Sequence, residues 1–220
     1  MMAYEAYFPV WDQLTDAHRA LIEEYMIPQS VKKGTMLHQG SLTCMGLVLI
    51  KTGQLRAYML SGEGREITLY RLFELDVCLF TASCTLRSMQ FDLHIEAEKD
   101  SEIYVLPPHI FRRLTEESAV MANYVNELMV SRFSEVMWLV EQIMWKSLDK
   151  RVASFLIEES VLEGTKALKI THEAIGNHLG TAREVVTRML RYFQNENLVV
   201  LRRGIVEIAD EKRLRALADE

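Results

Sequence analysis

The sequence has few cysteines, few prolines and no long apolar run. Its 220 residues contain three cysteines, Cys44, Cys78 and Cys84. A small, odd number argues against a secreted domain held by disulfides and favours the cytoplasm. The N-terminus lacks the basic and apolar regions of a signal peptide, and no run approaches the ~18 apolar residues of a membrane-spanning helix. We therefore expect a cytoplasmic chain with no membrane partner.

Basic residues are fewer than acidic ones. Lysine and arginine total 25 against 31 aspartates and glutamates, so the formal net charge is -6. Such an average is a poor match for nucleic acid, unless the basic residues are concentrated on one face. Hydrophobic residues make up 49% and charged residues 25%, which excludes disordered and low-complexity classes and predicts a folded core.

Between Val31 and Leu106 the sequence has the pattern of many short strands. Apolar runs such as Leu47–Ile50 and Ile103–Leu106 are separated by turn glycines. These glycines are Gly34, Gly40, Gly53, Gly62 and Gly64. The pattern predicts an antiparallel β-roll over residues 1–115, in a chain of the α+β class.

Residues 111–162 contain neither glycine nor proline, and their apolar side chains recur at helical spacing. We predict a dimerisation helix over residues 116–146 and a break near Lys146 and Ser147. Five apolar residues in this helix alternate in steps of four and three, the spacing with which two helices pack along a seam. They are Met129, Phe133, Val136, Val140 and Ile143. The alternative is that this stripe packs on the chain's own β-domain.

Residues 147–220 are predicted to form a winged helix-turn-helix. Thr171 is placed to cap the first helix, Gly180 to make the turn and Thr181 to open the second helix. Gly176 leaves room for the two helices to approach closely. Two apolar runs then flank a tight, arginine-rich turn, which predicts a β-hairpin wing.

The second helix presents polar side chains that suit base edges in a DNA major groove. They are Thr181, Arg183, Glu184, Thr187 and Arg188. The predicted contacts are completed by Thr171 and His172 at the start of the first helix and by Arg202 and Arg203 in the wing. Seven basic and three acidic residues lie between Lys166 and Arg203, a local charge of +4. For Glu184 the alternative is a capping box with Thr181, in which the carboxylate bonds back to the cap amide.

With these residues the chain resembles Crp/Fnr-type bacterial transcription regulators over nearly its whole length. The segment from Val31 to Gly40 is similar to an early part of the family's β-roll, and the segment from Ile175 to Arg188 is similar to its recognition region. The resemblance implies a cyclic-nucleotide-binding-like β-roll, a homodimer on a palindromic operator in double-stranded DNA, and RNA polymerase as a partner. It also implies base contacts by Arg183, Glu184 and Arg188.

The sensor side departs from the cyclic-nucleotide-binding members of the family. Those members hold the cyclic phosphate with an arginine, and here Phe91, Asp92 and Leu93 stand at that position. This difference argues against cyclic AMP. An iron-sulfur cluster held by four cysteines of one chain is excluded, because the chain has only three.

The effector or cofactor is left open at this point. Cys78 and Cys84 are candidates for a thiol-disulfide switch, and a haem bound through a histidine or another small molecule are further options. The candidate histidines are His38, His94 and His109. Inert buried thiols are the alternative for the cysteines.

The leading hypothesis is a DNA-binding regulator that responds to an effector or redox signal. A ligand-binding or thiol-redox module that acts through protein contacts is the alternative. No nucleophile-and-base pair, metal-ligand spacing or phosphate-binding glycine loop indicates an enzyme.

Overall fold

The computed structural model describes residues 4–39, 44–85 and 92–219, with the backbone alone for residues 83–85. The predictions for Gly40, the Cys84 thiol and Phe91 lie outside the described residues. Contacts divide the chain into two units. The first unit holds Met1–Met59 and Leu69–Val136, and the second holds Leu60–Thr68 and Met137–Glu220.

Two four-stranded sheets form the centre of the predicted β-roll, which the structure confirms. In the first sheet the strand order is β1 (Ile27–Val31), β8 (Ser101–Leu106), β3 (Leu47–Thr52) and β6 (Val77–Cys78). In the second it is β2 (Met36–Gln39), β7 (His94–Ala97), β4 (Leu55–Leu60) and β5 (Glu66–Leu72). The described pairings between these strands are antiparallel.

The continuous apolar run of β3 is explained by two cores. Leu47 and Leu49 join a core with the N-terminal segment, α1 (Asp16–Tyr25) and α2 (Pro108–Glu117). Val48 and Ile50 point to the opposite face and join a core with the second sheet. Because both faces of the strand are covered, all four side chains are buried.

The predicted helical stretch has one break more than the sequence indicated. α2 ends at Glu117, and α3 (Ala119–Trp145) begins after Ser118. The backbone of Ser118 is extended, and its hydroxyl accepts a hydrogen bond from the Met121 amide at 3.2 Å. A serine cap therefore starts a new helix without any glycine or proline. The second break lies at Lys146 and Ser147, as predicted.

The second unit contains the predicted winged helix-turn-helix. α4 (Leu148–Leu162) leads to α5 (His172–Leu179) and α6 (Arg183–Asn195), and the hairpin of β10 (Val199–Arg202) and β11 (Ile205–Ile208) follows. Two further elements were not predicted: β9 (Ala167–Leu168), which pairs with β11, and α7 (Glu211–Asp219). A shared core joins these helices and strands and includes Val152, Leu156, Ile175, Val186, Phe193 and Leu214.

None of the helices in the described ranges combines the length and the apolar character needed to cross a membrane.

Candidate nucleic-acid interface

The two ends of α5 are fixed as the sequence predicts. The Thr171 hydroxyl accepts a hydrogen bond from the Ala174 amide at 3.0 Å, which satisfies one of the free donors of the first turn. Gly180 ends the helix in the left-handed conformation, with a φ of 70°. The turn between the two helices is therefore set by local sequence.

The approach of α5 to the start of α6 leaves no space for a side chain at Gly176. A Cβ atom added there would lie 2.7 Å from the carbonyl oxygen of Thr181, a backbone atom that cannot move alone. From α4, the Arg151 guanidinium donates a hydrogen bond to the Leu179 carbonyl at 2.6 Å. The first contact sets how closely α5 approaches the start of α6, and the second links the end of α5 to α4.

The predicted cap of α6 is wrong. The helix begins at Arg183 after Ala182, and no side chain caps it. The backbone of Thr181 is instead used in the turn, where its amide donates to the Gly176 carbonyl at 3.0 Å. The capping box that gave Glu184 a structural alternative is therefore absent, and Glu184 is exposed at the start of the helix.

One face of α6 carries exposed charged side chains. Arg183, Glu184 and Arg188 lie on it, as predicted, and Arg191 joins them one turn after Arg188. Within the described part of the chain the three arginines form no ion pair. The sequence-based list of DNA contacts did not include Arg191, although its charge was counted in the balance of this region. Its spacing of three residues from Arg188 and seven from Glu184 could have placed it on the same helical face.

Thr187 is half-buried and belongs to a chain of hydrogen bonds between α5 and α6. The Thr187 hydroxyl donates a hydrogen bond to the Arg183 carbonyl at 2.9 Å. Nδ1 of His172 lies 2.9 Å from the oxygen of this hydroxyl. Burial, and then the positive charges of Arg183 and Arg191, hold the pKa of His172 below its ordinary value. His172 and Thr187, both predicted contacts, are thus also joined to each other.

Two of the basic residues counted in this region are paired with acids that follow it in the sequence. Arg202 of the wing pairs with Glu207 at 3.0 Å, and Lys166 pairs with Glu211 at 2.8 Å. Arg203 is exposed beside this pair at the tip of the hairpin.

The structure divides the five predicted seam residues of α3. Met129 and Val136 pack against the cores of the β-roll, so the alternative role holds for these two. Phe133, Val140 and Ile143 are exposed. The exposed apolar stripe shares Phe133 and Val140 with the predicted set and also alternates in steps of three and four residues. It consists of Val130, Phe133, Met137, Val140 and Met144.

Cys78 lacks the properties of a redox-active thiol. It is a free cysteine on β6, 1% exposed, and burial raises the pKa of its thiol to about 11. Among the described cysteines it is Cys44 that is disulfide-bonded. The predicted pairing of Cys78 in a switch is therefore wrong, because strand pairing with Val48 places its side chain in the core.

The three candidate histidines lie on three different elements. His38 is buried on β2, His94 of β7 stacks on the Tyr58 ring, and His109 of α2 contacts the Tyr25 ring edge-on. In residues 4–39, 44–85 and 92–219 no group of three histidine, cysteine or acidic side chains is arranged to hold a metal ion.

Two family models match the chain. Residues 28–118 match the cyclic nucleotide-binding domain, and residues 150–217 match the Crp-like helix-turn-helix domain. Among curated proteins, Electron transport regulator A of Shewanella oneidensis is 26% identical over 218 residues, which cover 94% of this chain and 82% of the relative. The transcriptional activator protein FnrA of Stutzerimonas stutzeri is 27% identical over 203 residues, covering 86% of this chain and 79% of the relative.

A solved structure supports the same relationship. A protein of Eubacterium rectale described as a transcriptional regulator of the Crp/Fnr family is 60% identical, with a TM-score of 0.96. The match covers 97% of this chain and 99% of that protein.

The first prediction concerns the tight turn. Gly176→Ala should lower the free energy of unfolding by about 1–3 kcal/mol, because its methyl group would overlap a backbone oxygen. Chemical denaturation measures the free energy of unfolding of each variant. The matched control is Gly62→Ala, since no atom lies within 4 Å of a Cβ at Gly62. Equal stability of the two variants would show that α5 and α6 are not in close contact.

The second prediction concerns Cys78. At pH 8 a thiol-alkylating reagent should leave Cys78 unmodified in the folded protein and modify it rapidly in denaturant, because burial raises its pKa to about 11. Mass spectrometry of tryptic peptides measures the modification. Modification of the folded protein at the rate of a free thiol would restore Cys78 as a redox candidate.

Proposed function

Because the chain belongs to the Crp/Fnr family of transcription regulators, we propose that it binds a palindromic operator in double-stranded DNA as a homodimer, under the control of a signal received by its β-roll. The observation that carries the proposal is the exposed charged face of α6, which stands on a turn that Gly176 and Gly180 hold in one geometry. The family membership makes the protein a transcription regulator with a helix-turn-helix DNA-binding domain, and not an enzyme.

α6 is proposed as the helix that enters the major groove. Its exposed Arg183 and Arg188 can each donate two hydrogen bonds to a guanine, and Glu184 can accept from the amino group of a cytosine. Arg203 and the N-terminal residues of α5 then meet phosphates at the edge of the groove. The ion pair with Glu207 makes Arg202 a weaker phosphate contact than Arg203.

The exposed stripe of α3 supports the homodimer. Phe133 is 66% exposed and Val130 is 63% exposed, and the stripe keeps the heptad spacing over its whole length. Soluble monomers rarely leave a continuous apolar stripe in water, because its burial is favourable by about 25 cal/mol per Å². A second copy of the same helix has the matching spacing and would cover it.

Two continuous elements connect the sensor to the DNA-binding residues. α3 belongs to the first unit up to Val136 and to the second unit from Met137. β5 belongs to the second unit up to Thr68 and to the first unit from Leu69. In the first unit, the buried guanidinium of Arg132 on α3 lies over the Tyr70 ring and 3.4 Å from Asp76 of the β-roll. A change in this part of the β-roll would therefore act directly on α3.

The signal itself is proposed in general terms. An effector shifts the protein toward the DNA-binding arrangement only by binding that arrangement more tightly. The buried thiol of Cys78 is not suited to a redox signal, so thiol chemistry would use the disulfide of Cys44. RNA polymerase is the proposed protein partner.

Selection of genomic fragments bound by the protein tests the proposal. A regulator should enrich one two-fold symmetric sequence. No enrichment would support the alternative, a ligand-binding or thiol-redox module that acts through protein contacts.

The third prediction concerns base reading. Arg188→Ala should weaken binding to the selected sequence by about 1–3 kcal/mol and relax the preference at one base pair in each half-site, because a bidentate contact is lost. Competitive gel shifts with single-base variants measure both effects. Arg203→Ala is the contrast, and it should weaken binding to all sequences and reduce the salt slope by about one. An equal loss on specific and random DNA would contradict the role of Arg188.

The fourth prediction concerns the dimer. Phe133→Glu should weaken self-association by at least about 2 kcal/mol, or roughly 30-fold, because it places a charge in the apolar seam. Sedimentation equilibrium measures the change, and circular dichroism checks that the helix persists. Ser131→Glu is the control: Ser131 is also exposed but lies outside the seam and its flanking positions in the heptad, so this change should leave association unchanged. An unaltered dimer in Phe133→Glu would move the interface away from α3.

A further inference from the structure

His172 lies at the junction of the two helices of the proposed DNA-binding motif. It is the first residue of α5, and its ring contacts Thr187, which lies on the second turn of α6. The sequence assigned it a possible phosphate contact. The structure adds a hydrogen-bond arrangement that favours one tautomer of the ring.

The Thr187 hydroxyl determines this arrangement. It has one hydrogen, which it donates to the Arg183 carbonyl at 2.9 Å. With the hydroxyl hydrogen placed there, the 2.9 Å contact with His172 uses a hydrogen on Nδ1 of the ring, and the hydroxyl oxygen is the acceptor. In the neutral ring Nε2 consequently has a lone pair and no hydrogen.

Protonation of the ring leaves this contact intact. The imidazolium form has hydrogens on both nitrogens, so Nδ1 still donates to Thr187 while Nε2 becomes a donor. A neutral Nε2 without hydrogen and a DNA phosphate oxygen are both hydrogen-bond acceptors, so they do not form a hydrogen bond with each other. A protonated Nε2 can donate a charge-assisted hydrogen bond to a phosphate oxygen.

We propose that His172 makes DNA binding by this protein proton-linked: its Nδ1–H positions Thr187 on the recognition helix, and its ring takes up a proton from solvent so that Nε2–H binds a DNA phosphate. The inference rests on the proposed function, because it requires α5 and α6 to face DNA. His172 is in this view a positioning residue in the free protein and a phosphate contact in the complex.

The charges around the ring favour a change of protonation on binding. Arg183 and Arg191, both on α6, act on His172 together with its burial, and they keep its pKa below the ordinary value in the free protein. Thr187 is the uncharged polar group that α6 places against it, and Glu173 is its acidic neighbour on α5. DNA phosphates would offset the positive charges of both arginines, which removes part of the cause of the low pKa.

The direction of the pH dependence follows from the pKa of His172 in the free protein and in the DNA complex. The pKa is lower in the free protein and higher in the complex, so binding takes up protons between the two values. Affinity should be strongest below the pKa of the free protein and should fall as pH rises through the pKa of the complex. The loss is limited to about tenfold per pH unit for each bound chain.

The fifth prediction tests this linkage by fluorescence anisotropy. We expect the affinity of the wild-type protein for the selected operator to fall as pH rises from about one unit below to one unit above ~6.5, at constant ionic strength and without phosphate buffer. His172→Asn keeps an amide donor near the position of Nδ1 but does not titrate, so its affinity should show a much smaller pH dependence. It should match the wild-type protein most closely at the alkaline end.

His178→Asn is the matched control, since His178 is the other histidine of α5 and its Nδ1 contacts Thr68 at 2.8 Å. This variant should keep the wild-type pH dependence. A flat wild-type profile, or a His172→Asn profile as steep as that of the wild type, would overturn the inference while operator binding persists. Absence of specific binding by the wild-type protein at every pH would instead contradict the proposed function.

Discussion

The apolar stripe on α3 is the constraint on which the rest of the account depends. Helices in a soluble protein bury their apolar faces, and the adjacent face of this helix already does so against the β-roll through Met129 and Val136. Phe133, Met137 and Val140 remain exposed on a second face. In the proposed dimer a second copy of the chain would satisfy this constraint, and the two-fold symmetry of that dimer would require two-fold symmetry in the DNA that it binds.

DNA recognition depends equally on rigidity within each chain. The approach of Gly176 to the Thr181 carbonyl and the bond from Arg151 to Leu179 leave the recognition helix little freedom. A preorganised helix presents its arginines without a large entropic cost on binding. The hydrogen bond between His172 and Thr187 also links the two helices, and burial together with Arg183 and Arg191 holds the pKa of this histidine below its ordinary value.

Features governed by neighbouring residues were predictable from the sequence, and features governed by distant contacts were not. The cap at Thr171 and the turn at Gly180 were predicted, because local hydrogen bonds and backbone conformation determine them. Thr181 was misassigned as a cap, because contact with Gly176 draws its backbone into the turn. Helical spacing predicted an apolar stripe on α3, and Phe133, Val140 and Ile143 of that stripe are exposed. It did not reveal that the β-roll covers Met129 and Val136, because spacing within one helix does not show which face another element contacts.

A hydroxyl-radical footprint on the selected operator tests the central claim most directly. Two recognition helices related by two-fold symmetry should protect two equivalent segments whose centres lie one helical turn, about 10 base pairs, or a small multiple of it apart. Reversing the operator should leave the pattern unchanged. A single protected segment, or two segments of unequal contact that follow the direction of the operator, would contradict binding by a symmetric dimer formed through α3.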